Sequence, residues 1–245
     1  MGYRYINQLA TTENIQKFLE FVDLAAGSGV DTNNVFDLDD RFRDSPQMQI
    51  TMKKLAEDPT SVQMIAEKYM GSDYDLETML KMPKKSLGWT YAKVVNALGY
   101  DPKFYRLRPM DSDVDYVLNR WRKTHDLHHI LTGFALDSQG ELGVISVTVA
   151  QIGLPVFLFL DLIALLMSFL NAGKNDQGLE KLKFSFDLIS AGIQMGREAK
   201  LLFPIKWEEG FERPLDEWRE ELNIKPILAG NFSWYSNPIL QEAIS

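Results

Sequence analysis

Apolar residues fall three and four positions apart in one run after another along this chain. The first set is Ile15, Phe18, Leu19, Val22 and Ala26, the spacing of one helix face. Thr11 or Thr12 stands at its N-cap position, and Gly27-Ser28-Gly29 ends it. Residues 31–46 are dense in Asp and Asn and read as a polar, solvated loop. Its acids Asp37, Asp39 and Asp40 come without the Gly and closing Glu of a calcium loop. Short helices are predicted at 47–57 and 60–70, a helical turn at 75–80, and a helix from Ser86-Leu87-Gly88 to Gly99. Pro102 and Pro109 bracket an aromatic loop, Phe104-Tyr105. No segment alternates apolar and polar residues as a half-buried strand would. The chain reads as all-α.

A longer helix at 112–134 carries Val114, Val117, Leu118 and Trp121 as its inward stripe. Continuing that stripe lands on His125, His128 and His129. Gly133 ends the helix and Asp137-Ser138-Gln139-Gly140 makes a turn. Leu142 to Leu160 then holds no charged residue, and the apolar run resumes after Asp161 as far as Leu170. Gly153 and Pro155 interrupt it, and a charge near mid-membrane costs about 3 kcal/mol. Two helices, 139–151 and 154–171, are therefore predicted in place of one membrane span. Their excess of Phe, Leu and Met suits an apolar tunnel, a membrane-facing patch or a dimer interface. Another helix follows at 178–201, and a last short one ends before Pro226. The tail from Ala229 is expected to dock loosely or to be disordered. No repeat or linker divides the chain. The expected architecture is a single-domain multi-helix bundle over residues 1–228, with a C-terminal tail at 229–245.

Composition narrows the function. The 245 residues include 34 Asp and Glu against 26 Lys and Arg, with no concentrated basic run, so a nucleic-acid partner is not indicated. With no cysteine, disulfides, thiolate ligands and cysteine nucleophiles are excluded. Met1–Ala10 lacks a signal-peptide pattern, which reads as an intracellular protein. Phosphate-binding glycine loops and the G-x-S-x-G elbow are absent.

What remains is the segment His125-Asp126-Leu127-His128-His129, which holds all 3 histidines of the chain. Imidazoles at i and i+4 sit one above the other on a helix face and can grip a divalent cation, with a carboxylate completing the set. The zinc-protease pattern H-E-x-x-H is not met, since Asp126 replaces its Glu. Glu141 is a candidate carboxylate, but Ser138 and Glu141 also have the spacing of a capping box. Ligation and capping both account for it. A mixed His and carboxylate set suits zinc, iron or manganese better than calcium.

The string His125-Asp126-x-x-His129, followed by Glu141, resembles the metal signature of the ubiquinone (coenzyme Q) biosynthesis protein 4 family. Further matches follow in order: Pro83-x-x-Ser86-Leu87-Gly88-x-x-Tyr91, Gly133, Gly140-Glu141 and Gln151-x-Gly153-Leu154-Pro155. Trp207-Glu208-x-x-Phe211 and Leu215-x-x-Trp218-Arg219-Glu220-Glu221-Leu222 close the series. Together they cover residues 10 to 225. Trp89-Thr90 stands where the pattern has Arg-Glu, and Ala135-Leu136-Asp137 where it has Pro-Thr-Asn.

The resemblance implies an all-α protein peripheral on a membrane, cytoplasmic or on the matrix side of the mitochondrial inner membrane. It implies His125, Asp126, His129 and Glu141 as metal ligands, with His128 outside the set. The metal is expected to be zinc, with magnesium or iron as alternatives. The partners implied are a polyprenyl lipid or prenylated quinone precursor, other quinone-biosynthesis proteins, the membrane surface and a second copy in a homodimer. Val144, Val147, Leu154, Phe157, Leu158 and Leu165 are the candidate lipid contacts. Lipid binding ranks first as the function. The alternatives are oxidative decarboxylation at ring carbon C1 of a polyprenyl-hydroxybenzoate, and a purely structural metal in a dimer.

Overall fold

Thr11 Oγ1 accepts the amide N–H of Asn14 at 3.2 Å and opens the first helix, α1 (Thr12–Gly27). The computed structural model describes Ile6 and residues 11–103, 105–174 and 176–245. The readings made on Met1–Ala10, Ile6 apart, and on Phe104 lie outside the described residues. After α1 come α2 (Asn33–Phe42), α3 (Pro46–Leu55), α4 (Pro59–Glu67), α5 (Leu76–Met79) and α6 (Leu87–Leu98). Then follow α7 (Asp113–Thr132), α8 (Gly140–Ile152), α9 (Pro155–Ala172), α10 (Asp176–Glu198), α11 (Leu215–Leu222) and α12 (Pro238–Ile244). No strand occurs among the described residues, only isolated bridges at Ser86–Pro214 and Phe134–Ser233. The all-α expectation holds.

Side-chain caps set most boundaries. Ser45, Asp58, Asp75, Ser86 and Ser112 each accept an amide N–H in the first turn of α3, α4, α5, α6 and α7, satisfying donors that have no partner within the helix. Gly99, Gly133 and Gly153 close α6, α7 and α8 in left-handed conformation.

Helix α7 is buried along nearly its whole length and belongs to both cores. Its first half packs Tyr116, Val117, Leu118 and Trp121 with α1 to α4 and with α9. Its second half packs Leu127, Ile130 and Leu131 with α6, α8, α10 and α11. Helices α8 and α10 approach closely, since a Cβ on Gly192 would lie 2.2 Å from the carbonyl oxygen of Gly143. A buried ion pair ties later chain to α7: Arg120 grips both Glu208 oxygens at 2.6 and 3.0 Å and also bonds the carbonyls of Met70 and Ile205.

Two expectations are corrected. Residues 31–46 do not form a loop; most of them form α2. Phe36 and Leu38 turn inward, and the acids that looked solvated are ion-pair partners. Asp39 takes two bonds from Arg122, at 2.9 and 2.7 Å, and Asp37 takes one from Arg106 at 2.7 Å. Nor is the tail at 229–245 loose. Trp234 is fully buried, its indole N–H donates to the carbonyl of His129 at 3.0 Å, and α12 packs on α6.

The predicted pair of helices around Gly153 is present as α8 and α9. Helix α8 is largely buried. Helix α9, with 18 residues and a mean hydropathy of 2.0, is long and apolar enough to cross a membrane, yet only 28% of it is buried.

Candidate metal centre and its cavity

The centre is assembled by the way α7 ends. Gly133 takes φ of +84°, and a Cβ there would meet the carbonyl oxygen of Ile227 at 2.3 Å, so only glycine fits. The chain reverses at once, bringing the Phe134 carbonyl to 3.2 Å from Nδ1 of His129. Asp137 then turns it into α8, its Oδ1 accepting the amides of Gln139 and Gly140 at 3.0 and 2.8 Å. Asp137, not Ser138, caps this turn. Glu141, in the first turn of α8, is thereby left to face α7.

The Glu141 carboxylate bridges the stacked histidines. Oε2 lies 2.9 Å from Nε2 of His125 and Oε1 lies 3.2 Å from Nε2 of His129. One ligand atom from each of the three falls within 4.8 Å of the others. Glu141 therefore pairs with the two imidazoles and does not cap α8. Burial would raise its carboxyl, but the facing rings of His125 and His129 outweigh that and hold it well below the usual carboxylate range.

These donors fit a divalent cation. The Phe134 carbonyl can only accept, so Nδ1 of His129 donates to it and Nε2 is the atom turned towards Glu141. A backbone carbonyl on the remote nitrogen is the usual support of a metal-bound imidazole. Nδ1 of His125 is buried with no partner.

Asp126 is not brought into this group. Its carboxylate accepts the Tyr100 hydroxyl at 3.1 Å and lines the cavity beside the centre. His128 stays out too, packed against Trp121 at 4.8 Å between ring centroids, with neither nitrogen hydrogen-bonded. Burial pushes its pKa far down, so it is an uncharged core residue.

A cavity of about 460 Å³ is lined by His125, Asp126 and Glu141 together with the apolar side of α9. Of the candidate lipid contacts, Leu154 and Phe157 line it, and Phe157 lies 5.6 Å from His125 between ring centroids. Val144 and Val147 are instead packed in the core, Leu158 faces outward, and Leu165 is partly buried outside the cavity wall. Ile145, Leu160, Ile163, Ala164 and Met167 complete this wall, and Ala25, Val35 and Phe36 of α1 and α2 close the opposite side. Val35 and Phe36 are absent from the sequence expectation because the acids of α2 make it read as a loop. The spacing of Val35, Leu38 and Phe42 was the available signal.

Comparison with known proteins identifies the family of the chain. Residues 11–227 match the family model described as Coenzyme Q (ubiquinone) biosynthesis protein Coq4. The chain is 33% identical over 177 residues to the mitochondrial ubiquinone biosynthesis protein COQ4 homolog of Rattus norvegicus, covering 71% of this chain and 64% of the relative. It is 25% identical over 218 residues to mitochondrial COQ4 of Clavispora lusitaniae, covering 86% of this chain and 66% of the relative. The match thus spans less than two thirds of either relative's length. A crystal structure of a candidate ubiquinone biosynthesis protein from Nostoc punctiforme PCC 73102 superposes with a TM-score of 0.74 at 27% identity, covering 86% of this chain and 98% of that one. With both halves of the fold and the helix that carries the histidines inside the matched residues, the chain belongs to the coenzyme Q (ubiquinone) biosynthesis protein Coq4 family.

Proposed function

We propose that this chain is a metal-dependent polyprenyl-lipid-binding protein of ubiquinone biosynthesis. His125, His129 and Glu141 hold the cation, and Asp126, bonded by Tyr100, supports the site beside them. Zinc suits two imidazoles and a carboxylate best, with iron and magnesium as alternatives. The polar head of a prenylated ring precursor meets the metal, and the start of its tail lies along α9 past Leu154 and Phe157. The observation that carries this reading is a cavity lined both by His125 and Glu141 of the candidate metal group and by the apolar wall of α9. A concave, mostly apolar site with a few convergent polar groups suits an amphiphile.

The setting is a membrane surface, cytoplasmic or, since the relatives are named mitochondrial, the matrix side of the mitochondrial inner membrane. Other quinone-biosynthesis proteins and a second copy of the chain are the partners.

A second reading is catalytic, the replacement of a ring carboxylate by hydroxyl on a prenylated hydroxybenzoate. It is favoured by a donor set of three, which leaves metal positions for substrate as catalytic sites do.

Elemental analysis and native mass spectrometry of the purified protein test the first reading, with one metal and one isoprenoid lipid per chain as the expected result. If no isoprenoid of any length binds in detergent, the lipid reading fails. Turnover of a prenylated hydroxybenzoate by the metal-loaded protein would establish the second.

A further inference from the structure

Leu158, Leu162, Leu166, Phe169 and Leu170 of α9 are 38–65% exposed on the outer side of the helix. Single exposed apolar residues need no explanation, but a contiguous row marks an interaction surface. The neighbours extend it. Helix α1 lies against α9 through Phe21 and Phe159, with ring centroids 6.0 Å apart, and exposes Phe18 and Leu19. Helix α10 meets α9 where the hydroxyls of Ser168 and Ser185 lie 3.1 Å apart, and exposes Phe186.

Charge follows the same division. The one ionisable residue of α9, Asp161, is turned inward and bonded by Ser146 at 2.9 Å. Along its border the exposed side chains carry both signs, Glu20 and Asp23 on α1, and Lys174, Lys181 and Lys183 with Glu180 and Asp187 past the end of α9 and on α10. An uncharged apolar row with a charged border suits the hydrocarbon and head-group zones of a bilayer.

The cavity reaches this same face. Phe157 lines it beside His125, and Met167 lines it ten residues further along α9, about 15 Å away at helical rise. Met167 is itself 37% exposed. A cavity of about 460 Å³ holds a ligand of drug size, so a long isoprenoid tail must continue beyond it. A second copy seated on α9 would block that exit, whereas a bilayer would receive the emerging tail.

We propose that the outer face of α9, with the adjoining parts of α1 and α10, docks on a lipid bilayer, and that the cavity opens into that bilayer beside Met167. The docking face stands on the surface itself; the opening rests on the lipid-binding reading above. Any homodimer pairs through a different face.

Flotation with vesicles of phosphatidylcholine and phosphatidylglycerol tests the proposal. Wild type should float, and the double variant Leu162→Glu/Leu166→Glu should lose at least about tenfold in vesicle partition. Its circular dichroism and its uptake of prenyl lipid from detergent micelles should match wild type. Leu228→Glu, a change at a residue 59% exposed elsewhere, should float normally. Because the chain has no cysteine, a polarity-sensitive dye on Leu166→Cys can report the same event and should shift to the blue with vesicles. Undiminished flotation of the double variant, or a dye that stays in water, overturns the proposal. So does a wild-type dimer that the double variant dissociates. If wild type floats through α9 but takes up no prenyl lipid from micelles, the lipid-binding reading and the opening fall and the docking face stands.

Discussion

The carbonyl of Phe134 lies 3.2 Å from Nδ1 of His129, on the side of the ring away from Glu141. That contact fixes the proton on Nδ1 and leaves Nε2 free to ligate. It exists because α7 stops at Gly133, and it ties the chemistry of the centre to the geometry of a helix end.

The ligand set makes distinguishable predictions. Replacing His129 by Ala or Glu141 by Gln removes a donor from the converging group, so metal affinity should fall by roughly 100-fold or more. Asp126→Asn disturbs a carboxylate bound to Tyr100 and should lower affinity by less than about tenfold, below the usual loss for groups that support ligands. Competition with a chelating dye measures all three. Equal losses in Asp126→Asn and His129→Ala would make Asp126 a ligand.

Trp234 belongs to the same structure from the far end of the chain. It is fully buried, stacks on Tyr235 at 3.8 Å and donates to the carbonyl of His129 at 3.0 Å. Trp234→Ala should cost about 3–5 kcal/mol of stability and weaken metal binding, both readable from denaturant melts with and without metal. A variant within about 1 kcal/mol of wild type would show that the tail is an appendage.

These contacts explain what could be read in advance. The stacking of His125 and His129 follows from helical period alone, and the inward stripe of α7 placed them correctly. The role of Glu141 could not be settled by spacing, since it depends on whether Asp137 or Ser138 caps α8. Helix α2 is legible in the spacing of Val35, Leu38 and Phe42 but is masked by its acids, because the partner of Asp39, Arg122, lies 83 residues away. Trp234 was hidden for the same reason, its acceptor being 105 residues distant. Local patterns report periods and caps; charge pairing between distant segments leaves no local trace.

The Arg120–Glu208 pair gives a further prediction. Both side chains are almost fully buried, at 1% and 2% exposure. Removing one partner leaves an uncompensated buried charge, so Glu208→Ala should cost about 3–5 kcal/mol. Replacing both together, Arg120→Met with Glu208→Leu, should cost less than Glu208→Ala alone, because only Lys123, 3.4 Å from Glu208 and also bonded to the carbonyls of Met70, Gly71 and Ser72, then loses its counter-charge. Equilibrium unfolding of the single and double variants decides this, and additive losses would rule out the charge explanation.

Asp161 predicts a specific dependence of stability on pH. Ser146 donates to its Oδ2, its Oδ1 is buried without a partner, and burial pushes its carboxyl up from 3.8 to about 7. A carboxyl whose pKa is higher in the folded state binds its proton more tightly there. Its stabilising effect is therefore fully present below about pH 4 and is lost as pH rises to about 7. Between pH 5 and pH 8 this amounts to roughly two pKa units, or about 3 kcal/mol. Asp161→Asn abolishes the titration, so the variant should gain on wild type over that interval and be the more stable protein at pH 8. Urea unfolding of both proteins at pH 5 and pH 8 measures the gain. If the difference between them is the same at the two pH values, Asp161 is ionised in the folded protein and its buried environment is not as apolar as the packing of α8 and α9 requires.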